Sequence, residues 1–406
     1  MSDSTDNGAE LCRNDEGSRA PADSRVNRRA FIAGMGLGGA AVALSPLHLG
    51  SVFERDAEEL LVCVGSFGAA DAGTLHLLHI RGDNSQCLYT HRSVRPAAIV
   101  RHPFRSLLYV ANDVSLYQHR PRGTVEIFAL DQATGRLELV GRQPLSLSAT
   151  RPRSLAVSPD GRSLLVAAFG GGAYNVLPID ESGLPSLPST ILKQVGRGEH
   201  ASDQDSAHPS DVLCHPRTGV AIATDYGADR LDILESDRGE SGAGNTIVAD
   251  RIPCIAGSGP SKIAMHSGGE LFVVAHALRP ALAAFRLSPE MKLVPVDHAS
   301  LNEAPTAICF SSQKNIVFAA QKQRPRQALL TAWMLDPRGG TLQRISDTAV
   351  PASEVASMRA TDSRVWLATD RGMIAVELDP NRGTPRESYR VSSIPDLRSM
   401  ALLYGS

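Results

Sequence analysis

The feature that most constrains this chain is an internal repeat of about fifty residues, which recurs along most of its length. Arg95-Pro96-Ala97-Ala98-Ile99-Val100-Arg101-His102-Pro103 leads into Leu107-Leu108-Tyr109-Val110-Ala111-Asn112. The same pair of apolar runs follows Arg151-Pro152, His208-Pro209, Gly259-Pro260, Ala304-Pro305 and Ser353-Glu354. Short apolar runs bounded by Pro, Gly and Asp read as strands. Linkers such as Ser158-Pro159-Asp160-Gly161 have the chemistry of a tight turn. Third strands are predicted at 124–130, 174–179, 230–234, 281–287, 329–335 and 373–378. A weaker fourth strand follows turns such as Gly135-Arg136-Leu137 and Gly340-Thr341-Leu342. Four short strands per unit at this period predict an all-β fold, a β-propeller of four-stranded blades. A β-solenoid would need shorter, more uniform repeats, and the period-2 patterns exclude a helical solenoid.

The two ends supply one further blade, which makes seven. Residues 60–66 have the look of a second strand with no first strand before them. Residues 397–403 have the look of a first strand with nothing after it. Pairing the two completes the blade, and the C-terminal strand then closes the ring without an open seam. A closed array of this kind accommodates 406 residues, because each unit packs only on its neighbours. The propeller domain is expected to span residues 55–406.

Residues 1–45 belong to a different regime. The first twenty-five are polar and acidic with no periodic apolar face, which predicts disorder. Asn27-Arg28-Arg29-Ala30-Phe31-Ile32 and the small, apolar stretch after it resemble a twin-arginine export signal. Ala41-Val42-Ala43 offers a small-x-small cleavage site. The stretch is too short and too Gly-rich for a transmembrane helix. The expectation is therefore a periplasmic protein, handled by the twin-arginine export machinery and free of the membrane in its mature form. A formal net charge of −2 argues against a nucleic-acid partner, and a monomer is expected. Of the six cysteines, Cys12 would leave with the signal, and none forms a CxxC pair. Neither a disulfide framework nor a zinc site is expected.

Antiparallel pairing sorts the polar residues by face. The entry to each first strand and the exit from each second strand share one face, and the turn between them lies on the other. One mouth should therefore gather Arg95, Asn112, Asp113, Arg151, Phe169, His208, Asp225, Asp229, Arg230, Lys262, His276, Gln321, Lys322, Glu354, Asp370 and Arg371. His102, His215 and His266 fall at the far turns, where a structural role is expected.

At His208-Pro209 with Asp225-Tyr226-Gly227-Ala228-Asp229-Arg230, and at Leu108-Tyr109-Val110-Ala111-Asn112-Asp113, the chain resembles the seven-bladed lactonase family. That family includes 6-phosphogluconolactonases of the propeller type and a carboxymuconate lactonizing enzyme. The resemblance covers roughly residues 60–403 and implies hydrolysis of a sugar lactone or similar cyclic ester. Several positions depart from the family pattern. Ser210 stands for a second His, and Ala168 for an Asn. Ser261-Lys262 stands for Arg-His, His276 lies near a Glu position, and Lys322 replaces an Arg.

A lactonase needs a base for water, a donor for the oxyanion and cations for an acidic substrate. His208 is the expected base, with Asp225 or Asp229 to orient it. Arg151, Arg230, Lys262, His276, Lys322 and Asp113 are the expected substrate-binding residues, with Arg offering a bidentate fork. The expected ligand is a small lactone or acidic sugar, and no cofactor or metal is expected. Two other readings stand beside this one. One is a non-catalytic periplasmic binding or assembly scaffold, favoured by Ser210 and Ala168. The other is a calcium-assisted lactonase using Asp113, Asp225, Asp229 and Asp370, for which no calcium-loop spacing exists.

Overall fold

The computed structural model describes residues 58–69, 72–131, 134–236, 245–323 and 327–405. The Arg28-Arg29 motif, the acidic segment, the 41–43 cleavage site and Cys12 lie outside the described residues. Among the described residues, every strand belongs to one of seven four-stranded antiparallel sheets, and no helix is long and apolar enough to cross a membrane. The chain is a seven-bladed β-propeller.

The second blade shows the plan. Its strands are β4 (Pro96–Arg101), β5 (Leu107–Asn112), β6 (Thr124–Asp131) and β7 (Arg136–Pro144), paired in that order. Strand β5 is buried at every position, because both of its faces pack on neighbouring blades. That is why it reads as an unbroken apolar run rather than an alternation. Strand β7 lies at the outer edge and is mostly exposed, which explains its weak signal in the sequence.

Among the described residues the buried apolar side chains form seven clusters rather than a single core, and each joins two adjacent blades. Leu107, Tyr109 and Val125 of the second blade, for example, pack on Leu155, Leu164 and Val166 of the third. The ring closes as expected from the termini. Strand β28 (Leu397–Gly405) pairs antiparallel with β1 (Glu59–Phe67), with Leu402 opposite Val62 and Met400 opposite Val64.

The far turns hold the blades together by histidine. His215 Nδ1 accepts from the backbone N–H groups of Arg217 and Thr218, so the ring proton is on Nε2. Nε2 donates to Gly269 O of the next blade at 3.1 Å. Gly269 has φ +79°, and a Cβ there would stand 2.7 Å from His215 Nε2, so only glycine fits. His102 repeats the arrangement on Gly161 O at 3.2 Å, and His266 Nε2 meets Asn315 Oδ1 at 2.8 Å. These three histidines are structural clasps between neighbouring blades.

Candidate active site

A regular irregularity of the first strands shapes the mouth. In all seven blades the ladder shifts register one residue after the entry: at Pro96/Ala98, Pro152/Ser154, Pro209/Asp211, Pro260/Lys262, Pro305/Ala307, Val355/Ser357 and Leu397/Ser399. Proline has no N–H for the ladder, and a bulge at such a position re-aims the skipped side chain. Three of the skipped residues, Arg153, Ser210 and Ser261, line one cavity of about 540 Å³ at the mouth. Arg151, Phe169, Ser202, Asp203, Asp205, His208, Tyr226 and Lys262 complete its wall.

His208 is the best-positioned titratable group there, with a side chain 14% exposed. Its ring stacks on Phe169, with centroids 4.6 Å apart. Nδ1 lies 2.9 Å from Phe169 O, and because a carbonyl only accepts, Nδ1 carries the proton. That leaves Nε2 as the basic nitrogen of the neutral ring. A carboxylate only accepts, so the 3.1 Å contact of Nε2 with Asp205 Oδ1 is a hydrogen bond of the doubly protonated ring, and Nε2 serves as a base in the neutral ring once Asp205 has turned away. Asp205 is 66% exposed and can swing away, and its hydrogen bond with His208 is the main cause of a lowered carboxyl pKa.

The two expected orienting carboxylates do not touch this imidazole. Asp225 Oδ1 accepts the backbone N–H of His208 at 2.7 Å and that of Ala228 at 3.2 Å. It places the chain at His208, not the ring. Burial raises its pKa to about 6, against the opposing pull of those N–H groups and of Arg230. Asp229, with φ +49°, accepts from Gln204 Nε2 and from the N–H groups of Gly257 and Gly259. It ties loops together. Gly227, between the two, has no room for a side chain: a Cβ would collide with Ser206 O and lie 2.8 Å from His208 N.

The expected substrate-binding residues divide. Arg151 and Lys262 line the cavity. Asp113 does not line it, but anchors Arg151 Nε at 3.2 Å and lies 3.6 Å from Arg95 Nη2. Arg230 is corrected to a structural role. Its guanidinium is engaged by Asp225 at 3.0 Å, Asp232 at 3.1 Å, Val195 O and Gln194 Oε1, which leaves no fork for a ligand. His276 is likewise corrected. It is 2% exposed, lies 3.0 Å from Ser258 Oγ and is held neutral, burial lowering its pKa to about 4. Lys322 is exposed on β21 (Ile316–Gln323) and does not line this cavity.

The carboxylates of the calcium reading do not converge. Asp370 Oδ1 accepts the N–H groups of Ser353 and Glu354, and the other three are engaged as described. Among the described residues, no three His, Cys, Asp or Glu side chains group as a metal site would require.

Five members of the cavity escaped the sequence reading as site residues: Arg153, Ser202, Asp203, Asp205 and Tyr226. Asp205 stands three residues before His208 in Asp205-Ser206-Ala207-His208, a spacing that carries a signal only once the loop's path is known. Arg153 is reached through the bulge. Tyr226 faces Phe169 at 5.8 Å, and burial raises its pKa, so its hydroxyl is a proton donor. Ser210, at a departure from the family pattern, contacts Thr224 Oγ1 at 2.8 Å and Pro260 O of the next blade at 3.0 Å.

Residues 62–352 match the family model described as lactonase, 7-bladed beta-propeller. Two curated relatives are 6-phosphogluconolactonases. That of Bacillus subtilis is 23% identical over 50% of this chain and 58% of its own length. That of Sodalis glossinidius is 25% identical over 42% of this chain and 44% of its own. The chain thus spans about half the length of the curated relatives it matches. Among solved structures, a putative 6-phosphogluconolactonase from Bacteroides fragilis superposes with a TM-score of 0.76 at 17% identity, covering 85% of this chain and 98% of its own. A periplasmic gluconolactonase from Pseudomonas aeruginosa gives 0.76 at 18%, covering 85% and 99%. At these identities the structural likeness speaks for the fold.

Proposed function

The chain belongs to the seven-bladed β-propeller lactonase family, and from that premise we propose that it hydrolyses a sugar lactone or similar cyclic ester at the cavity around His208. The observation that carries the reading is the pinned imidazole. Phe169 O holds the Nδ1 proton, so Nε2 is presented as a base at a cavity of substrate size.

Water adds to the lactone carbonyl as Nε2 takes its proton. The Asp205 carboxylate, in contact with Nε2, stabilises the imidazolium that forms. Tyr226 donates to the oxyanion. The tetrahedral species collapses with cleavage of the ring C–O bond, and the departing oxygen recovers the proton from Nε2. The product is an open hydroxy acid, and both the base and the proton count are restored. Asp225 acts through the backbone of His208 as a positioning residue.

Turnover of a panel of aldonolactones by the full chain, with and without EDTA, tests this reading. We expect EDTA-insensitive hydrolysis, with His208→Ala lowering kcat/KM on the order of 10²–10⁴-fold. Absence of turnover across the panel would overturn it in favour of a non-catalytic scaffold. Export to the periplasm is part of the same proposal and rests on Asn27-Arg28-Arg29. Substituting both arginines by lysine should hold the protein in the cytoplasm. Export would separate the enzyme from cytoplasmic phosphosugars, so the exported form is expected to act on a lactone without a phosphate.

A further inference from the structure

The mouth cavity does not end at the mouth. A second cavity of about 600 Å³ runs along the ring axis, lined by first-strand residues such as Ile99, Leu155, Val212 and Ile308. Two residues, Arg153 and Lys262, line both cavities and so stand at the junction. Both are cations. Among the described residues, neither is drawn into an ion pair. Arg153 lies over the Phe169 ring with its guanidinium carbon 3.6 Å from the centroid. Burial pushes its pKa below the ordinary arginine value, with Arg151 and Arg95 adding to that and the more distant pull of Asp113, itself shared with those two arginines, opposing it.

The carboxylates nearby are already engaged. Asp113 is held by Arg151 and Arg95. Asp211, on the axial cavity, accepts Ser154 Oγ and the N–H of Val212 on one oxygen and the N–H of Ile263 on the other. Asp203 and Asp205 line the mouth cavity and are exposed at its rim. The cavity is therefore polarised, acidic at the rim and cationic at its inner end.

We propose that Arg153 and Lys262 form an anion-binding throat that takes the carboxylate of a sugar acid. A planar guanidinium fork matches a carboxylate, and the ammonium adds a point charge. The hydroxyls at this level are turned to backbone carbonyls, Ser210 toward Pro260 O and Ser261 toward Ala275 O. Few free donors remain for the third and fourth oxygens of a phosphate, so the throat suits the two oxygens of a planar carboxylate better. The proposal rests on the cavity being the ligand site of the proposed hydrolase, but binding is measurable without turnover.

Calorimetric titration of the full chain with gluconate tests it, with glucitol and inorganic phosphate as comparisons at matched ionic strength. We expect gluconate to bind, glucitol and phosphate to bind more weakly, and added salt to weaken gluconate. Arg153→Gln and Lys262→Met should each weaken gluconate about tenfold, while Arg344→Gln, at an ion pair with Asp347 on an exposed outer strand, should not. Circular dichroism checks that each variant folds. No gluconate binding, equal binding of glucitol, tighter binding of phosphate, or full affinity in both throat variants would each overturn the throat. Gluconate binding without lactone turnover would support the throat and count against the hydrolase alone. Turnover without gluconate binding would do the reverse.

Discussion

Arg230 and His208 lie on the same mouth and do different things, and the difference is in how many of their hydrogen-bonding atoms are already engaged. Arg230 neutralises the buried Asp225 and Asp232, the latter also held by Tyr174 Oη at 3.0 Å. Arg230→Met leaves buried Asp225 without a cation and Asp232 with only the longer contact to Arg251 at 3.5 Å, and should cost about 3 kcal/mol in urea unfolding, with KM unchanged for the protein that remains folded. A rise in KM without loss of stability would return Arg230 to the ligand site. Two buried groups give opposite pH dependences. His276, lowered to about 4, stays neutral in the folded chain while the unfolded chain takes a proton near 6.5. Stability is therefore lost as pH falls from 6.5 to 4, by about 3 kcal/mol. Asp225, raised to about 6, takes its proton in the folded chain before the unfolded one, so its contribution is present below about 4 and lost as pH rises through 6. The two slopes oppose each other between pH 4 and 6. His276→Gln should accordingly become more stable relative to wild type on acidification, and Asp225→Asn less stable, as read from Tm against pH.

Single strands explain what the sequence displayed well and what it hid. The second strands were legible because burial on both faces enforces unbroken apolar runs such as Leu271–His276 and Leu107–Asn112. The fourth strands were faint because they face solvent. The bulges were not legible at all. A register shift follows from the fit between a first strand and its neighbour, and Ala97, Arg153 and Thr306 share no residue type that would announce it. The far-turn histidines follow from topology alone, and their clasps are testable. His215→Ala removes the donor to Gly269 O and the acceptor for two N–H groups, and should destabilise the chain by about 1–3 kcal/mol while leaving lactone turnover intact. Loss of turnover in the folded variant would mean that the far face takes part in function.

At the scale of the molecule, stability is shared among seven interfaces between blades, so closure matters more than any one blade. Removing 397–405 would expose the open edge of Glu59–Phe67 and strip Leu397 and Met400 from the cluster that joins the first and last blades. The truncated chain is expected to unfold in a broader, less cooperative transition and to self-associate, as seen by calorimetry and light scattering. An unchanged, sharp transition would show that the C-terminal strand is dispensable. The same closure converts six separated sequence motifs into one mouth. By itself the sequence determined the strand count per blade, the ring and the face on which each entry lies, because these follow from local periodicity and antiparallel geometry. Only the tertiary structure decided which of the mouth residues are free to meet a ligand. His208, Arg153 and Lys262 are left available, whereas Arg230, His276 and Asp229 are consumed by partners that come from distant parts of the chain, and no local pattern records who those partners will be.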